Sequence, residues 1–275
     1  MTRADIYHDI YDQDSIHSST PRGQNRSRSP ADRHADLTLE TPLGIQALLT
    51  RGEAVLKDDR TQSYCIRLPL LLPRALLNTW MTALLGLDWM RPHTKAGHPI
   101  PRQTLWISNC QCNYEYGGMQ IQPQLFSELM QEITTLVFDK LNMPLPNCCN
   151  LNLYSHGSQQ VGWHDDSEDL FKDDDVRIIS LSLGATRTFE IVSKEKMGKT
   201  QNRFRFAAHK GGFKSADPVD IMQMELEHGD VVVMAGDMQR HYEHRLPPNT
   251  TLHPRINLTW RYITRHTPGC HKHNC

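Results

Sequence analysis

The sequence predicts an α+β protein in which helices come first and pack on an antiparallel β-sandwich or barrel. Three observations carry this. Apolar residues recur at helical spacing in segments up to about residue 142. Beyond Pro144 the pattern changes to short segments of alternating apolar and polar residues. The breaks between those segments are turn-rich: HGSQQ, KEKMGKTQN, HGD, AGDMQ and PPNTTLHP.

Taken in order, residues 1–38 have almost nothing to place in a core, and RGQNRSRSPADR reads as a disordered, solvated tail. TPLGIQALLTRGE suggests a short helix opened by Thr41, with Pro42 at its first position. LPRALLNTWMTALLGL, following the apolar run Leu68–Leu72, spaces its apolar residues helically and ends near Gly86. The segment 122–142 predicts an amphipathic helix with Leu125, Leu129, Ile133 and Val137 as its stripe. Strands follow at 150–155, 176–184, 186–192, 222–227, 230–235 and 255–263. No internal repeat is visible.

The chain has 275 residues, 38% hydrophobic and 22% charged, the composition of a globular protein. Its formal net charge of −1 means that a polyanionic partner would need a local basic patch. The start, MTRADIYHDIYDQD, lacks the apolar stretch of a secretory signal, and no apolar run is long enough to span a membrane. Seven cysteines, an odd number in no repeating pattern, suggest reduced thiols. These features imply an intracellular protein, nuclear or cytoplasmic, with no membrane association.

Residues 162–169 read Gly-Trp-His-Asp-Asp-Ser-Glu-Asp. In extended backbone His164 and Asp166 project to the same side, so an imidazole and a carboxylate can take two adjacent positions on one metal. HYEHRLP (241–247) offers two candidates for a third ligand, His241 and His244. Two histidines and one carboxylate with open positions form the facial triad of non-haem iron(II) oxygenases. An H-x-D triplet alone is a weak signal.

The last strand strengthens it. In RINLTWR (255–261), alternation puts Ile256, Leu258 and Trp260 on one face, continued by Tyr262. Arg255, Asn257, Thr259 and Arg261 lie on the other. If that second face lines the interior, two buried cations require anionic partners, because an uncompensated buried charge costs several kcal/mol. A dicarboxylate that chelates the metal would supply them, with bidentate arginine–carboxylate geometry.

Five motifs in order carry a resemblance: N-L-Y (152–154), G-W-H-D-D-S-E (162–168), S-L-S-L-G-A-T-R-T-F (180–189), E-H-R-L-P (243–247) and R-I-N-L-T-W-R (255–261). Over roughly residues 95–265 the chain resembles the AlkB family of 2-oxoglutarate dioxygenases, nearest to its animal-type nucleic-acid demethylases. The resemblance implies a double-stranded β-helix (a jelly-roll, cupin-like barrel) and the co-substrates Fe(II), 2-oxoglutarate and O2. It puts iron on His164, Asp166 and His244, the last preferred to His241 because it precedes the x-Leu-Pro. It gives the distal carboxylate of 2-oxoglutarate to Arg255, helped by Tyr154 and Asn257, and sets Arg261 and Asn152 near the chelating carboxylate. The implied reaction removes an N-linked methyl group from a base of the 1-methyladenine or 3-methylcytosine type, with release of formaldehyde, succinate and CO2.

PRQTLWISNCQCNYEYGG (101–118) resembles the family's nucleotide-recognition lid, with Arg102, Tyr114 and Tyr116 at matching positions. Trp106, Tyr114 and Tyr116 offer faces on which a flipped or single-stranded base can stack. Glu168 stands where the family places a carboxylate that contacts the base, and Arg187 can face the pocket or a phosphate. HKGGFK (209–214), with Arg203 and Arg205, is the best local basic segment, and DLFKDDDVR (169–177) reads as a solvated acidic turn. The implied partner is DNA or RNA, met by a monomer. A 2-oxoglutarate oxygenase acting on protein, or a catalytically silent nucleic-acid-binding barrel, are the alternatives.

The tail Cys270-His-Lys-His-Asn-Cys275 holds potential zinc ligands at a spacing that suits no compact site. Cys148-Cys149 and Cys110-x-Cys112 read as buried or free thiols. On this reading the chain divides into the tail 1–38, an N-terminal helical extension 39–94, the dioxygenase domain 95–266 and a Cys/His tail 267–275.

Overall fold

The structure is a computed structural model that describes residues 42–69, 71–93, 97–116, 119–171, 177–196, 220–267 and 270. Helix α1 (Pro42–Arg51) leads into a hairpin of β1 (Glu53–Asp58) and β2 (Ser63–Leu68), then helix α2 (Arg74–Leu85). Next come β3 (Gln103–Ser108), a small hairpin of β4 (Tyr114–Tyr116) and β5 (Met119–Ile121), and helix α3 (Glu128–Leu141). The remaining strands are β6 (Cys148–Tyr154), β7 (Val161–His164), β8 (Ile178–Gly184), β9 (Arg187–Ser193), β10 (Met222–Leu226), β11 (Val231–Gly236), β12 (Tyr242–Leu246) and β13 (Arg255–Arg261). A short helix α4 (Met238–His241) precedes β12.

The strands form a seven-stranded sheet, β1-β2-β11-β8-β13-β6-β3, and a four-stranded sheet, β10-β9-β12-β7. Every strand pairing within them is antiparallel. From β6 onward the chain passes back and forth between the large and small sheets, except that β9 and β10 pair with each other in the small one. The expected architecture is therefore present, with a nearly all-antiparallel core and few helices.

The strand predictions from residue 150 onward match β6, β8, β9, β10, β11 and β13 to within about two residues. The differences lie upstream and in short connections. Residues 53–68, expected within a helical extension, form β1 and β2, and β2 pairs with β11 along its whole length. Glu53–Asp58 exposes both its ends, and Ser63–Leu68 is buried almost throughout, so neither shows the alternation of a half-buried strand. Strands β7 and β12 are four and five residues long, too short to carry a clear period.

Helix α3 begins later than expected. Ser127 caps it by accepting the Met130 backbone N–H at 3.3 Å. Leu125 thus lies outside the helix and is exposed, and the buried stripe is Met130, Ile133, Val137 and Leu141, with Phe138 beside it. This face meets the outer side of the large sheet, where Trp260 donates to the Thr134 hydroxyl at 3.0 Å and meets Phe138 edge-on. Ile256, Leu258 and Trp260 are fully buried on that side. Tyr262, expected on the same face, lies past the strand end and is half-buried, with its hydroxyl on the Pro144 carbonyl at 2.6 Å. Helix α2 joins the layer through Trp80, whose indole N–H donates to Glu132 at 3.0 Å.

A second apolar cluster, including Ile178, Ile191, Met224, Val232 and Met234, fills one end of the space between the sheets. Gly184 closes β8 with φ +91°, where a Cβ would sit 2.4 Å from the Pro254 carbonyl oxygen. Its lack of a side chain lets β13 begin directly alongside, with Arg255 opposite it in the register. Among the described residues no helix is long and apolar enough to cross a membrane. The tail 1–38, Thr41, the basic segment 203–214, most of the acidic turn and residues 271–275 lie outside the described residues.

Candidate active site

The uncovered half of the space between the sheets is a cavity of about 520 Å³. Period-two alternation places the side chains that line it. On β13, Arg255, Asn257, Thr259 and Arg261 all face the cavity, while the intervening residues face the helices. The two-arginine face is thus the inside face.

Opposite them, His164 ends β7 and His244 sits in β12 as its register partner. Asp166 follows two residues after His164, buried at 4% exposure. Its carboxylate oxygens lie 3.7 Å from His164 Nε2 and 3.9 Å from His244 Nε2. One donor atom from each of the three residues falls within 4.8 Å of the others. His244, and not His241, belongs to this group. The pairing decides it: β12 runs between β9 and β7, and His244 falls in the register that meets His164.

The surroundings hold these groups in a ligating state. His164 Nδ1 is 2.8 Å from the Gly162 carbonyl, which fixes a proton there and leaves Nε2 free to ligate. Burial pushes the His244 imidazole down to about 3, with His164 adding to the effect, so it is neutral at neutral pH. Burial acts to raise the Asp166 carboxyl, yet Arg261, His244 and His164 together hold it well below the usual carboxylate range. Arg261 Nη2 contacts Asp166 Oδ2 at 2.6 Å, and Asp166 N–H donates to Gln239 Oε1 at 3.0 Å. Two further donor atoms of Arg261, Nε and Nη1, are buried without a hydrogen-bond partner.

Arg255 is different. It is 3% exposed, donates from Nη2 to Ser182 Oγ at 2.9 Å, and lies over the Tyr154 ring at 5.5 Å. Its Nε is buried without a hydrogen-bond partner. Burial lowers its pKa to about 10. A buried guanidinium with no carboxylate opposite it among the described residues calls for an anion from outside. The donor set therefore fits iron(II) held by two imidazoles and a carboxylate, with a dicarboxylate spanning from the metal towards Arg255.

The other expected residues fall into two groups. Asn152, Tyr154, Arg102, Tyr114 and Glu168 all line the cavity. Arg102 Nε donates to Asn152 Oδ1 at 2.8 Å, and the Tyr114 hydroxyl donates to Glu168 Oε1 at 2.5 Å. Burial raises the Glu168 carboxyl above its ordinary value, and its Oε2 is buried without a hydrogen-bond partner.

Trp106 and Arg187 do not line the cavity. Trp106 is fully buried behind Tyr114, stacked on it at 4.8 Å, with its indole N–H on the Cys112 carbonyl. Its aromatic face is therefore used internally and offers no surface to a base. Arg187 is 1% exposed and donates to the Gln159 and Pro247 carbonyls at 2.8 and 2.7 Å, so it braces two loops and meets no phosphate. Tyr116 lies in β4 with Met119 as its register partner.

Ser180, Asn150 and Phe189 also line the cavity and escaped the sequence reading. The alternation Ile-Ser-Leu-Ser-Leu in β8 was the available signal for Ser180, which pairs with Thr259 in the register. Nothing in the sequence marked Gln239, a residue of α4 that reaches Asp166 across 73 positions.

Comparison with known proteins agrees with this geometry. The family described as "2OG-Fe(II) oxygenase superfamily" matches residues 65–261. Mouse "DNA oxidative demethylase ALKBH2" is 26% identical over 168 residues, covering 60% of this chain and 63% of that protein. Mouse "Alpha-ketoglutarate-dependent dioxygenase alkB homolog 3" is 31% identical over 173 residues, covering 60% and 53%. Human "DNA oxidative demethylase ALKBH2" is 27% identical over 168 residues, covering 60% and 58%. The match thus spans somewhat more than half the length of these curated relatives. The matched segment runs from β2 to Arg261 and encloses the two histidines, the aspartate and both arginines, and so the chain belongs to the 2OG-Fe(II) oxygenase superfamily.

Proposed function

We propose that this chain oxidatively demethylates alkylated bases in nucleic acid, using iron held by His164, Asp166 and His244 and 2-oxoglutarate held by Arg255. One observation carries the reading: a single cavity contains the His-Asp-His group and a buried arginine with no ion pair among the described residues. The printed names of the relatives, two of them DNA oxidative demethylases, support the substrate class.

When bound, iron and 2-oxoglutarate supply an oxidant from O2, with loss of CO2 from the oxo acid. The chain's own residues bind and orient. His164 and His244 offer imidazole nitrogens, Arg261 aims the Asp166 carboxylate, and Gln239 accepts the Asp166 backbone N–H. Arg255, backed by Ser182 and Tyr154, takes the distal carboxylate of the co-substrate. Asn152 and Asn257 line the wall between the two arginines. Arg102, Tyr114 and Glu168 meet the base, and the carboxylate pairs with a cationic methylated ring. Hydroxylation of the N-methyl group leaves a hemiaminal that breaks to formaldehyde and the unmodified base.

The base must be flipped or single-stranded to reach a cavity closed on two sides by sheets. We place the enzyme inside the cell, as a monomer. The test is succinate and formaldehyde formation by the purified, iron-loaded chain with oligonucleotides carrying 1-methyladenine or 3-methylcytosine, in DNA and RNA. Asp166→Ala should abolish it. Turnover of 2-oxoglutarate that no methylated oligonucleotide stimulates would discard the demethylase assignment and favour a protein substrate.

A further inference from the structure

We propose that Cys110, Cys112, His266 and Cys270 form a second metal site: a closed, structural Zn2+ site of three thiolates and one imidazole. In sequence alone Cys110-x-Cys112 reads as plain thiols, and the spacing in the tail suits no compact site. The fold brings the two segments together.

The four donor atoms lie within 4.8 Å of one another. His266 Nδ1 is 3.6 Å from Cys112 Sγ and 3.4 Å from Cys270 Sγ. A tetrahedral zinc with ordinary Zn–S and Zn–N bonds has sulfur–nitrogen edges of about 3.6 Å. The side chains thus stand close to the separation that coordination needs.

The three thiols are 2%, 0% and 3% exposed and sit in an apolar cluster with Trp106, Phe171 and Ile263. The Thr267 N–H donates to Cys112 Sγ at 3.4 Å, and the Ser108 hydroxyl, 3.2 Å from Cys110 Sγ, can donate to a thiolate there. Such contacts orient a thiolate for a metal. The ligands come as two short pairs, Cys-x-Cys and His-x-x-x-Cys, separated by 154 positions at Cys112 and His266. Paired short spacings on two distant segments are the general pattern of structural zinc sites, although Cys-x-Cys is tighter than the usual two-residue gap.

The donor chemistry selects the ion. Thiolates with an imidazole suit zinc and disfavour calcium or magnesium. A disulfide would use two of the three thiols and leave the third, with the imidazole, unexplained. Zinc uses all four groups and releases the thiol protons to solvent.

The consequence is mechanical. The Cys112 carbonyl holds the Trp106 indole, and Trp106 stacks on Tyr114, which forms the cavity wall with Glu168. The metal would clamp that wall to the chain's last described segment, residues 263–267 and 270. The site stands independently of the demethylation reading.

The test uses the full chain without a polyhistidine tag, purified under reducing conditions from zinc-supplemented culture. Three forms are compared: wild type, Asp166→Ala and the double variant Cys112→Ser/Cys270→Ser. Elemental analysis after EDTA dialysis should find about one zinc per chain in the first two and almost none in the third. Cobalt substitution should give thiolate-to-metal charge-transfer absorption in wild type and Asp166→Ala, a band the oxygen- and nitrogen-ligated triad cannot produce. That band decides the matter even if the cysteine variant fails to fold. A chain lacking residues 271–275 should keep its zinc. An Asp166→Ala protein with neither zinc nor the charge-transfer band overturns the proposal. So does a Cys112–Cys270 disulfide in wild type, or loss of zinc on removing 271–275.

Discussion

Arg255→Met separates what the guanidinium does to the fold from what it does for the co-substrate. Arg255 is buried, makes one hydrogen bond to Ser182 and has no ion pair among the described residues. Burial takes its pKa from 12.5 to about 10, which corresponds to about 3 kcal/mol of destabilisation of the charged form. Methionine has a similar length and no charge. Losing the hydrogen bond to Ser182 opposes the gain by about 1 kcal/mol. The variant without co-substrate should therefore be more stable by about 2 kcal/mol, a rise in Tm of about 4–8 °C for a domain of this size. Binding moves the other way. A carboxylate deprived of its buried partner loses about 3–5 kcal/mol, which weakens 2-oxoglutarate by about two to three and a half orders of magnitude. Thermal unfolding of the Mn2+-loaded protein, titrated with 2-oxoglutarate, reads both quantities in one experiment. If Arg255→Met unfolds at lower temperature than wild type and still binds 2-oxoglutarate within about threefold, Arg255 is a structural residue and the reasoning fails.

Glu168→Gln keeps the hydrogen-bond acceptor for Tyr114 and removes the charge. We expect kcat/KM for a cationic 1-methyladenine oligonucleotide to fall by about 10- to 150-fold, from the 1.5–3 kcal/mol of a charged hydrogen bond, with little change for an uncharged alkylated base. Equal losses on both substrates would exclude charge recognition by Glu168. Asp58 offers a pH test at a carboxylate that is not one of the metal ligands. The Thr61 hydroxyl, at 2.7 Å, and the Tyr242 hydroxyl, at 2.8 Å, pull its carboxyl down to about 2. Because the folded pKa lies below the unfolded one, near 3.8, this stabilisation is complete above about pH 4 and disappears as pH falls through about 2. In urea unfolding, wild type should exceed Thr61→Val by a margin that shrinks between pH 5 and pH 2; a constant margin contradicts the assignment. Trp260→Ala empties a fully buried site and frees the Thr134 hydroxyl, so it should cost about 3–5 kcal/mol. A loss below about 1 kcal/mol would mean the helix layer closes the gap.

Much of the chemistry was legible because strand geometry is local. The period of two in RINLTWR separates Arg255, Asn257, Thr259 and Arg261 from Ile256, Leu258 and Trp260 whatever the strand packs against. The same rule puts His164 and Asp166 on one side. Helix α2 and strands β6, β8, β9, β10, β11 and β13 were equally readable, since their alternation is regular enough to be recognised. Where the period was short or absent, as in β1, β2, β7 and β12, the elements escaped. The Trp106 and Arg187 assignments failed for a related reason: sequence shows that a side chain is aromatic or charged, not whether the interior has already taken it up.

The sequence by itself determined which residue types share a face, and therefore that two arginines travel with two small polar residues opposite an apolar stripe. Only the tertiary structure decided that this face is the inside of the barrel, because that depends on β8 and β6 flanking β13 and on helix α3 covering its other side. The choice of His244 over His241 followed from interstrand register, a relation between segments some eighty residues apart. The meeting of Cys110 and Cys112 with His266 and Cys270 is a further step removed. No local period connects positions 154 residues apart, and they meet because the tertiary fold lays the segment after β13 across the one that precedes β4.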